Sequence, residues 1–259
     1  MLLGMLCMAQ AKDRIVERPP FLAQNSSSIE IDKIVMSDTV TTVYIKAFYR
    51  PKYWIKIATG SVLKDNNGIL YPIRKGIGIT LDKEFWMPES GEAEFQLTFP
   101  PIPQNVTRLD FSEGDFEGAY KIWGIQLDKK SFGKFKLPKD VIVPKADHKM
   151  TLPDPIVKYD KAILKGRILD YQKGMPDKGS LYYQDVIREG AQEGKIRIQD
   201  DGTFYHEMNV FMITPCTIMS PFGTIEYLLA PGETTSIVIN LRENARKQSH
   251  LRQTEKPYG

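Results

Sequence analysis

The chain has 259 residues, 42% of them hydrophobic and 26% charged, which is the composition of a globular protein rather than of a disordered chain. Its 35 Lys and Arg against 32 Asp and Glu exclude the concentrated basic charge of a nucleic-acid-binding protein. Two Cys and three His exclude a disulfide scaffold, an iron–sulfur site and the usual Cys/His zinc arrangements. The length predicts two domains, since a single domain usually has roughly 100–200 residues.

The first eleven residues, 1–11, carry no charge, are mostly apolar and end in Ala9-Gln10-Ala11. This ending resembles the cleavage site of a secretory signal peptide, although the positively charged start of such a peptide is missing. We predict a partial signal peptide and export to the periplasm or cell envelope; a loose N-terminal strand is the alternative. Because no later stretch approaches the roughly 18 apolar residues of a membrane span, the mature chain is predicted to lack a transmembrane segment.

Beyond the N-terminus, apolar residues alternate with polar ones, which is the period of half-buried strands. Segments with this pattern include Ile29–Ile31, Val43–Ala47, Phe95–Phe99 and Ile196–Ile198. Turn-forming residues at Asp65-Asn66-Asn67-Gly68 and Asp200-Asp201-Gly202 predict two hairpins. A polar helix is predicted at Leu241–His250. The sequence therefore predicts an all-β protein with a short C-terminal helix.

Prolines and lysines mark a change of character between about residues 128 and 160. Proline removes a donor from a strand ladder and favours extended backbone, so this segment is predicted to be a linker or strap between two β-sandwich domains. The predicted organisation is an N-terminal sandwich at 12–127, the linker at 128–160, a C-terminal sandwich at 161–240, and a polar helix and tail at 241–259.

Motifs for catalysis and metal binding begin in several places, but none is complete. The acidic turn Asp200–Gly202 lacks the glutamate of a calcium loop, and the pair Gly76-x-Gly78 lacks the third glycine of a nucleotide-binding fingerprint. No His has a ligand partner at zinc spacing. Cys216 lacks a Cys-x-x-Cys partner. These residues are Asp200–Gly202, Gly76, Gly78, His148, His206, His250 and Cys216. Acidic pairs would serve glycoside chemistry only at a defined separation in space. We predict no catalytic residue, cofactor or metal, and hence no enzyme.

The segment Phe48–Trp54 contains four aromatic residues and two cations. Amphipathic rings provide a large contact area at a low entropy cost, so Tyr49, Arg50, Tyr53 and Trp54 are candidates for a sugar-stacking or partner-binding surface. The alternative is that alternate rings, together with Trp86 and Trp123, fill the sandwich core.

Glycan attachment is also indicated by short motifs. Asn25-Ser26-Ser27 and Asn105-Val106-Thr107 fit the Asn-linked acceptor pattern. Thr39, within Asp38-Thr39-Val40, resembles the O-glycan acceptor that Bacteroidetes use on exported proteins.

Five peptides carry a wider resemblance: Ile15–Phe21 (IVERPPF), Ile34–Thr39 (IVMSDT), Leu81–Gly91 (LDKEFWMPESG), Ile122–Ile125 (IWGI) and Tyr227–Thr235 (YLLAPGETT). Together they resemble the N-terminal region of exported Bacteroidetes TlpA-like, redoxin-type thiol–disulfide oxidoreductases. In that family the redox activity belongs to a C-terminal thioredoxin domain with Cys-x-x-Cys, which no position here matches. The resemblance therefore implies a link to an envelope redox system, through a protein partner or an attached thioredoxin-like domain, and transfers no catalytic residue.

The second predicted sandwich has a resemblance of its own. Ala162–Asp170, followed by Ile198–Phe204 with its Asp-Gly-x-Phe hairpin, is similar to the carboxypeptidase-regulatory-like, transthyretin-type sandwich; an immunoglobulin-like sandwich is expected before it. The sequence thus predicts a non-catalytic extracytoplasmic binding or spacer module associated with thiol–disulfide exchange. Two alternatives stay open: a fragment of a TlpA-like oxidoreductase, and a carbohydrate-binding module built on Tyr49, Tyr53 and Trp54.

Overall fold

The computed structural model describes residues 13–128, 132, 137–141, 149, 157–184 and 190–257. These residues form five sheets and one helix near the C-terminus, which confirms the predicted all-β class and the short helix. The predicted signal peptide lies outside the described residues, as does most of the predicted linker. No helix in the described part of the chain is long and apolar enough to cross a membrane.

The chain divides into two compact units. The N-terminal unit contains the described residues of 1–21, 26–133 and 249–254, and the C-terminal unit contains those of 22–25, 134–248 and 255–259. Each unit is built on two main sheets with an apolar core, in the manner of a β-sandwich. The immunoglobulin-like and transthyretin-type assignments stay predictions.

The N-terminal unit has one antiparallel sheet in the order β1-β3-β4-β10-β8 and a second in the order β12-β11-β6-β7. A two-stranded ladder, β5-β9, completes it. The strands are β1 (Arg14–Glu17), β3 (Ile29–Met36), β4 (Thr41–Phe48), β5 (Trp54–Ile55), β6 (Val62–Asp65), β7 (Leu70–Pro72), β8 (Lys75–Ile77), β9 (Phe85–Trp86), β10 (Glu92–Phe99), β11 (Arg108–Ser112) and β12 (Lys121–Gln126). The two-residue strand β2 (Ala23–Gln24) belongs to the C-terminal unit.

Strand β4 shows how the sequence period builds this unit. Its residues are buried in strict alternation, so Val43, Ile45 and Ala47 pack into the core while Tyr44 and Lys46 lie on the outer face. The predicted hairpin between β6 and β7 is confirmed by antiparallel pairing of the two strands. The Asp65 carboxylate fixes its turn by accepting hydrogen bonds from the backbone N–H groups of residues 67 and 69, at 2.8 and 2.9 Å.

A buried carboxylate holds the segment that follows the helix. Glu30, on β3, is 1% exposed and accepts hydrogen bonds from the Ser249 hydroxyl at 2.6 Å and from the backbone N–H groups of His250 and Leu251 at 2.7 and 3.2 Å. The His250 ring stacks on Phe48, with centroids 4.4 Å apart. Three hydrogen bonds satisfy the buried charge and fix residues 249–251 to the five-stranded sheet.

The C-terminal unit has a three-stranded sheet in the order β16-β13-β19 and a four-stranded sheet in the order β15-β14-β17-β18. Strands β13 and β19 are parallel, and the other pairs are antiparallel. The elements are β13 (Asp160–Leu169), β14 (Lys178–Gln184), β15 (Ala191–Arg197), β16 (Thr203–Val210), β17 (Thr214–Ser220), β18 (Gly223–Leu229), β19 (Thr234–Asn240) and the helix Leu241–Gln248. The Asn240 side chain accepts a hydrogen bond from the Glu243 N–H at 3.2 Å and caps the helix.

The second predicted hairpin is confirmed at its turn, but its two strands pair with other strands along most of their length. The turn itself forms, since the Gly202 N–H donates to the Gln199 carbonyl at 2.9 Å, but only one bridge, Ile198 to Phe204, joins the flanking segments. Strand β15 instead pairs with β14 along seven residues, and β16 pairs with β13 along eight. Since β15 belongs to the four-stranded sheet and β16 to the three-stranded sheet, the chain crosses from one sheet to the other at this turn.

Candidate binding surface

Four aromatic side chains lie at the surface of the N-terminal unit where β4 leads into β5 and where β9 leads toward β10. We call Tyr49, Tyr53, Trp54 and Trp86 the aromatic cluster. Their exposed fractions are 39%, 54%, 44% and 61%. The interpretation that these rings fill the core is therefore wrong; aliphatic side chains and Phe95, Phe99 and Phe111 fill it instead. Trp123 is half-buried.

The two tryptophans form a cross-strand pair. Trp54 on β5 lies directly opposite Trp86 on β9, and the next pair is Ile55 with Phe85. Directly opposite residues share one face of a ladder, with Cβ atoms about 4.5–5.5 Å apart. Ile55 is 2% exposed and Phe85 packs against Phe95, with ring centroids 6.2 Å apart. One face of the ladder thus joins the core while the other presents both indoles to solvent.

A tight turn places the tyrosines beside this ladder. The Tyr53 N–H donates to the Arg50 carbonyl at 3.2 Å, with Pro51 second in the turn and Lys52 third at φ +62°, the positive value of a type II turn. Tyr49 and Tyr53 meet edge to face, with centroids 6.3 Å apart. The aromatic cluster is therefore held by local backbone geometry.

A glycine allows the neighbouring turn to approach this segment closely. The Tyr49 N–H donates to the Gly91 carbonyl at 2.9 Å, and Gly91 has φ +71°. A Cβ atom at this position would lie 2.8 Å from the Tyr49 carbonyl oxygen. Only glycine fits both the backbone conformation and the contact.

Charged side chains flank the rings. The Arg50 guanidinium lies 5.8 Å from the centroid of the Tyr53 ring, within the range of a cation–π contact. Lys52 and Glu89 form an exposed ion pair at 3.0 Å. The surface therefore combines apolar ring faces with donors and acceptors at their edges.

The structure brings Tyr49, Arg50, Tyr53 and Trp54 together at one surface, and these are the four residues that the sequence pattern indicated as a candidate binding surface. Sequence reasoning placed Trp86 only in the core. The signal that could have corrected this is the apolar pair Phe85-Trp86 beside charged Lys83 and Glu84, because adjacent residues of a strand face opposite sides. One of the two aromatic side chains then has to face solvent.

The glycan-acceptor candidate Thr39 is exposed in the turn between β3 and β4. Its backbone carbonyl accepts a hydrogen bond from Arg74 at 3.1 Å. Asn25 and Asn105 are exposed as well. Their modification stays a prediction.

The remaining polar candidates do not converge. Among the described residues, no group of three or more His, Cys, Asp or Glu side chains is placed to hold a metal ion. Cys216 is 2% exposed, and burial raises the pKa of its thiol to about 11. Glu94 pairs with Lys46 at 3.2 Å, and Glu89 pairs with Lys52. These carboxylates are thus bound in surface ion pairs.

No family model matches this chain, and no curated protein matches it. Among solved structures it is similar to pullulanase type I from Bacillus subtilis complexed with maltose, at 8% identity and a TM-score of 0.28, covering 78% of this chain and 24% of that one. It is also similar to the Bacillus anthracis TIE protein, at 10% identity and a TM-score of 0.21, covering 88% and 39%. The chain thus spans about a quarter of the pullulanase. TM-scores this low do not indicate a shared fold, so the function proposed below is argued from this chain's own geometry.

Proposed function

We propose that this chain is a non-catalytic β-sandwich binding module, and that the aromatic cluster binds carbohydrate by ring stacking. The observation that carries the proposal is the Trp54/Trp86 pair, in which two large rings share one exposed face of a ladder. Exposing two indoles to water is costly, because each buries 150–250 Å² when covered. A ligand that covers both rings recovers that free energy.

A pyranose ring suits this surface because its C–H face is apolar while its rim carries hydroxyl groups. The C–H face packs on the indole rings. The hydroxyls meet charged groups at the rim, since Arg50 and the Lys52–Glu89 pair border the cluster and charged partners make the stronger hydrogen bonds.

The link to an envelope thiol–disulfide system is the part of the proposal that rests on the sequence resemblance alone. It predicts that the module acts beside a thioredoxin-like domain or a protein partner and performs no thiol exchange itself. Finding a Cys-x-x-Cys domain in the same reading frame would support this association. Reductase activity in a Cys7→Ser/Cys216→Ser variant of this chain would contradict its non-catalytic role.

The carbohydrate proposal is tested by affinity electrophoresis through gels containing neutral polysaccharides. Trp54→Ala and Trp86→Ala are each expected to weaken retention roughly tenfold, since one stacked ring contributes about 0.5–1.5 kcal/mol beyond its buried area. Tyr205→Ala, which removes a ring of similar exposure (52%) from the C-terminal unit, is the matched control and is expected to leave retention unchanged. Absence of retention in every gel, or equal losses in all three variants, would refute the proposal.

A further inference from the structure

A groove lies on the outer face of the five-stranded sheet of the N-terminal unit, separate from the aromatic cluster. Its volume is about 320 Å³, within the range of small-molecule sites. Two adjacent cross-strand pairs of β4 and β10 line it, namely Lys46 opposite Glu94 and Tyr44 opposite Gln96. Each of these four side chains carries a polar group, while Ile45, Ile77 and Phe95 add apolar surface, so the lining of the groove is mixed.

A β-bulge brings a second acid, Asp32, to the groove. The pairing of β3 with β4 shifts between Ile31 and Lys33, which makes Asp32 the extra residue, and Asp32 lines the groove. Bulges re-aim side chains and are frequent beside binding sites. The Arg18 guanidinium lies 3.6 Å from the Asp32 carboxylate, and the Arg18 N–H donates to the Asp32 carbonyl at 2.6 Å. The bulge is therefore fixed by a neighbouring residue.

The short strand β8 leaves the other side of the groove open. It pairs with β10 only at residues 75–77, so Glu94 and Phe95 lie beyond the last pair. The chain continues there through Gly78, where an added Cβ would lie 3.5 Å from the Glu94 carbonyl oxygen and from the Phe95 Cβ. Gly78 also has φ +81°, a conformation that favours glycine.

The groups that line the groove have opposite charges and opposite hydrogen-bonding roles. Lys46 and Glu94 form an ion pair with each other at 3.2 Å, and each keeps further hydrogen-bonding positions: the ammonium donates and the carboxylate accepts. The Asp32 carboxylate also accepts, and the Gln96 amide does both. A ligand that carries charge of a single sign would be attracted by one set of groups and repelled by the other. A hydroxyl group can donate to a carboxylate and accept from an ammonium, so a neutral molecule with several hydroxyls matches every one of these groups. Lys33 lies over the Tyr44 ring at 4.2 Å and fixes that wall.

We propose that this groove is a second binding site, for one unit of a neutral saccharide, formed by Lys46, Glu94, Gln96, Tyr44 and Asp32. The inference rests on the proposed carbohydrate-binding function and extends it to a site of different chemistry. Stacking at the aromatic cluster tolerates many sugars because it contacts a ring face. Paired donors and acceptors in the groove discriminate between arrangements of hydroxyl groups.

The test is an NMR titration of the ¹⁵N-labelled chain with free glucose, galactose, mannose, xylose and N-acetylglucosamine, with glucuronate and glucosamine as charged analogues. At least one neutral sugar is expected to give saturable shifts at the backbone amides of residues 44–46, 77–78 and 94–96. Glu94→Gln and Lys46→Met are each expected to weaken that binding about tenfold, because each removes a charge-assisted hydrogen bond. The charged analogues are expected to bind more weakly than their neutral counterparts.

The matched control is Glu226→Gln, which makes the same change at an exposed position of the C-terminal unit and is expected to leave the shifts unchanged. Absence of shifts at the groove amides, or shifts that survive both groove substitutions, would overturn the inference. Amides 53–55 and 85–86 report the aromatic cluster in the same spectra. Perturbation at these amides alone would refute the groove site and leave the proposed binding at the aromatic cluster standing. Perturbation at the groove amides alone would support the groove site and refute binding at the aromatic cluster.

Discussion

The exposed aromatic side chains of the two units make different contacts. In the C-terminal unit, Tyr205 donates its hydroxyl hydrogen bond to Glu207 at 2.8 Å, and Tyr159 packs against Phe211 with centroids 4.5 Å apart. In the N-terminal unit, Trp54 and Trp86 pair with each other and present one common face. Rings tied to their own unit serve its structure, whereas a shared exposed face is suited to a ligand. The proposed binding sites therefore both lie in the N-terminal unit.

The largest effect is expected in the core of the C-terminal unit. A Cβ atom at Gly166 would lie 1.8 Å from the Phe204 ring, so Gly166→Ala overpacks the site and is expected to lower the free energy of unfolding by about 3 kcal/mol. Urea denaturation measures this loss. Phe204→Leu provides the matched test, because the double variant should recover part of the stability. Additive losses would show that the contact is not the cause.

A glycine substitution in the N-terminal unit should affect binding as well as stability. Gly91→Ala combines a positive φ with a 2.8 Å contact to the Tyr49 carbonyl oxygen, and a cost of about 1–3 kcal/mol is expected. The hydrogen bond from the Tyr49 N–H to the Gly91 carbonyl holds the aromatic cluster. Because the added methyl group disturbs this approach, retention on polysaccharide should fall too.

The matched control for this change is Gly118→Ala. Gly118 also has a positive φ, but an added Cβ meets no atom within 4 Å. It should show the smaller loss of stability and normal retention. Equal behaviour of the two variants would mean that the close approach does not position the cluster.

These contrasts mark what the sequence can predict. The alternation along β4 and the turn at Asp65 are local signals, and both predicted the structure correctly. The direction of Trp54 depends on its pairing with Trp86, which is far along the chain, and the partner of Glu30 is more than 200 residues away at Ser249. The groove arises from register between strands. Such features depend on long-range pairing that no local pattern encodes.

A buried carboxylate, Glu113, gives a pH-dependent test of the N-terminal unit. Glu113 is 3% exposed and accepts hydrogen bonds from the N–H groups of Ala58 and Tyr120 at 2.8 and 2.9 Å. Burial raises the pKa of this carboxyl above its ordinary 4.5, outweighing the two backbone hydrogen bonds that lower it. The folded state thus favours the protonated form, and this stabilisation is lost as the pH rises through the raised pKa.

The expected result is that the wild-type chain loses stability relative to Glu113→Gln between pH 4 and pH 7. The loss should be about 1.4 kcal/mol for each unit by which the pKa is raised. Denaturation curves at a series of pH values measure it, with Glu117→Gln, an exposed neighbour in the same loop, as control. A wild-type chain that gains stability relative to Glu113→Gln over this range would contradict the raised pKa.

The smallest effect on polysaccharide retention is expected at Cys216, which is 2% exposed. The thiolate is the reactive form, and a pKa raised from 9.0 to about 11 makes it about a hundredfold rarer at neutral pH than in the unfolded chain. In a Cys7→Ser background, iodoacetamide should therefore modify the folded chain at least that much more slowly than the chain in urea. Cys216→Ser should leave polysaccharide retention unchanged. Rapid alkylation of the folded chain would show that the thiol is accessible. It would contradict the prediction that Cys216 takes no part in thiol chemistry.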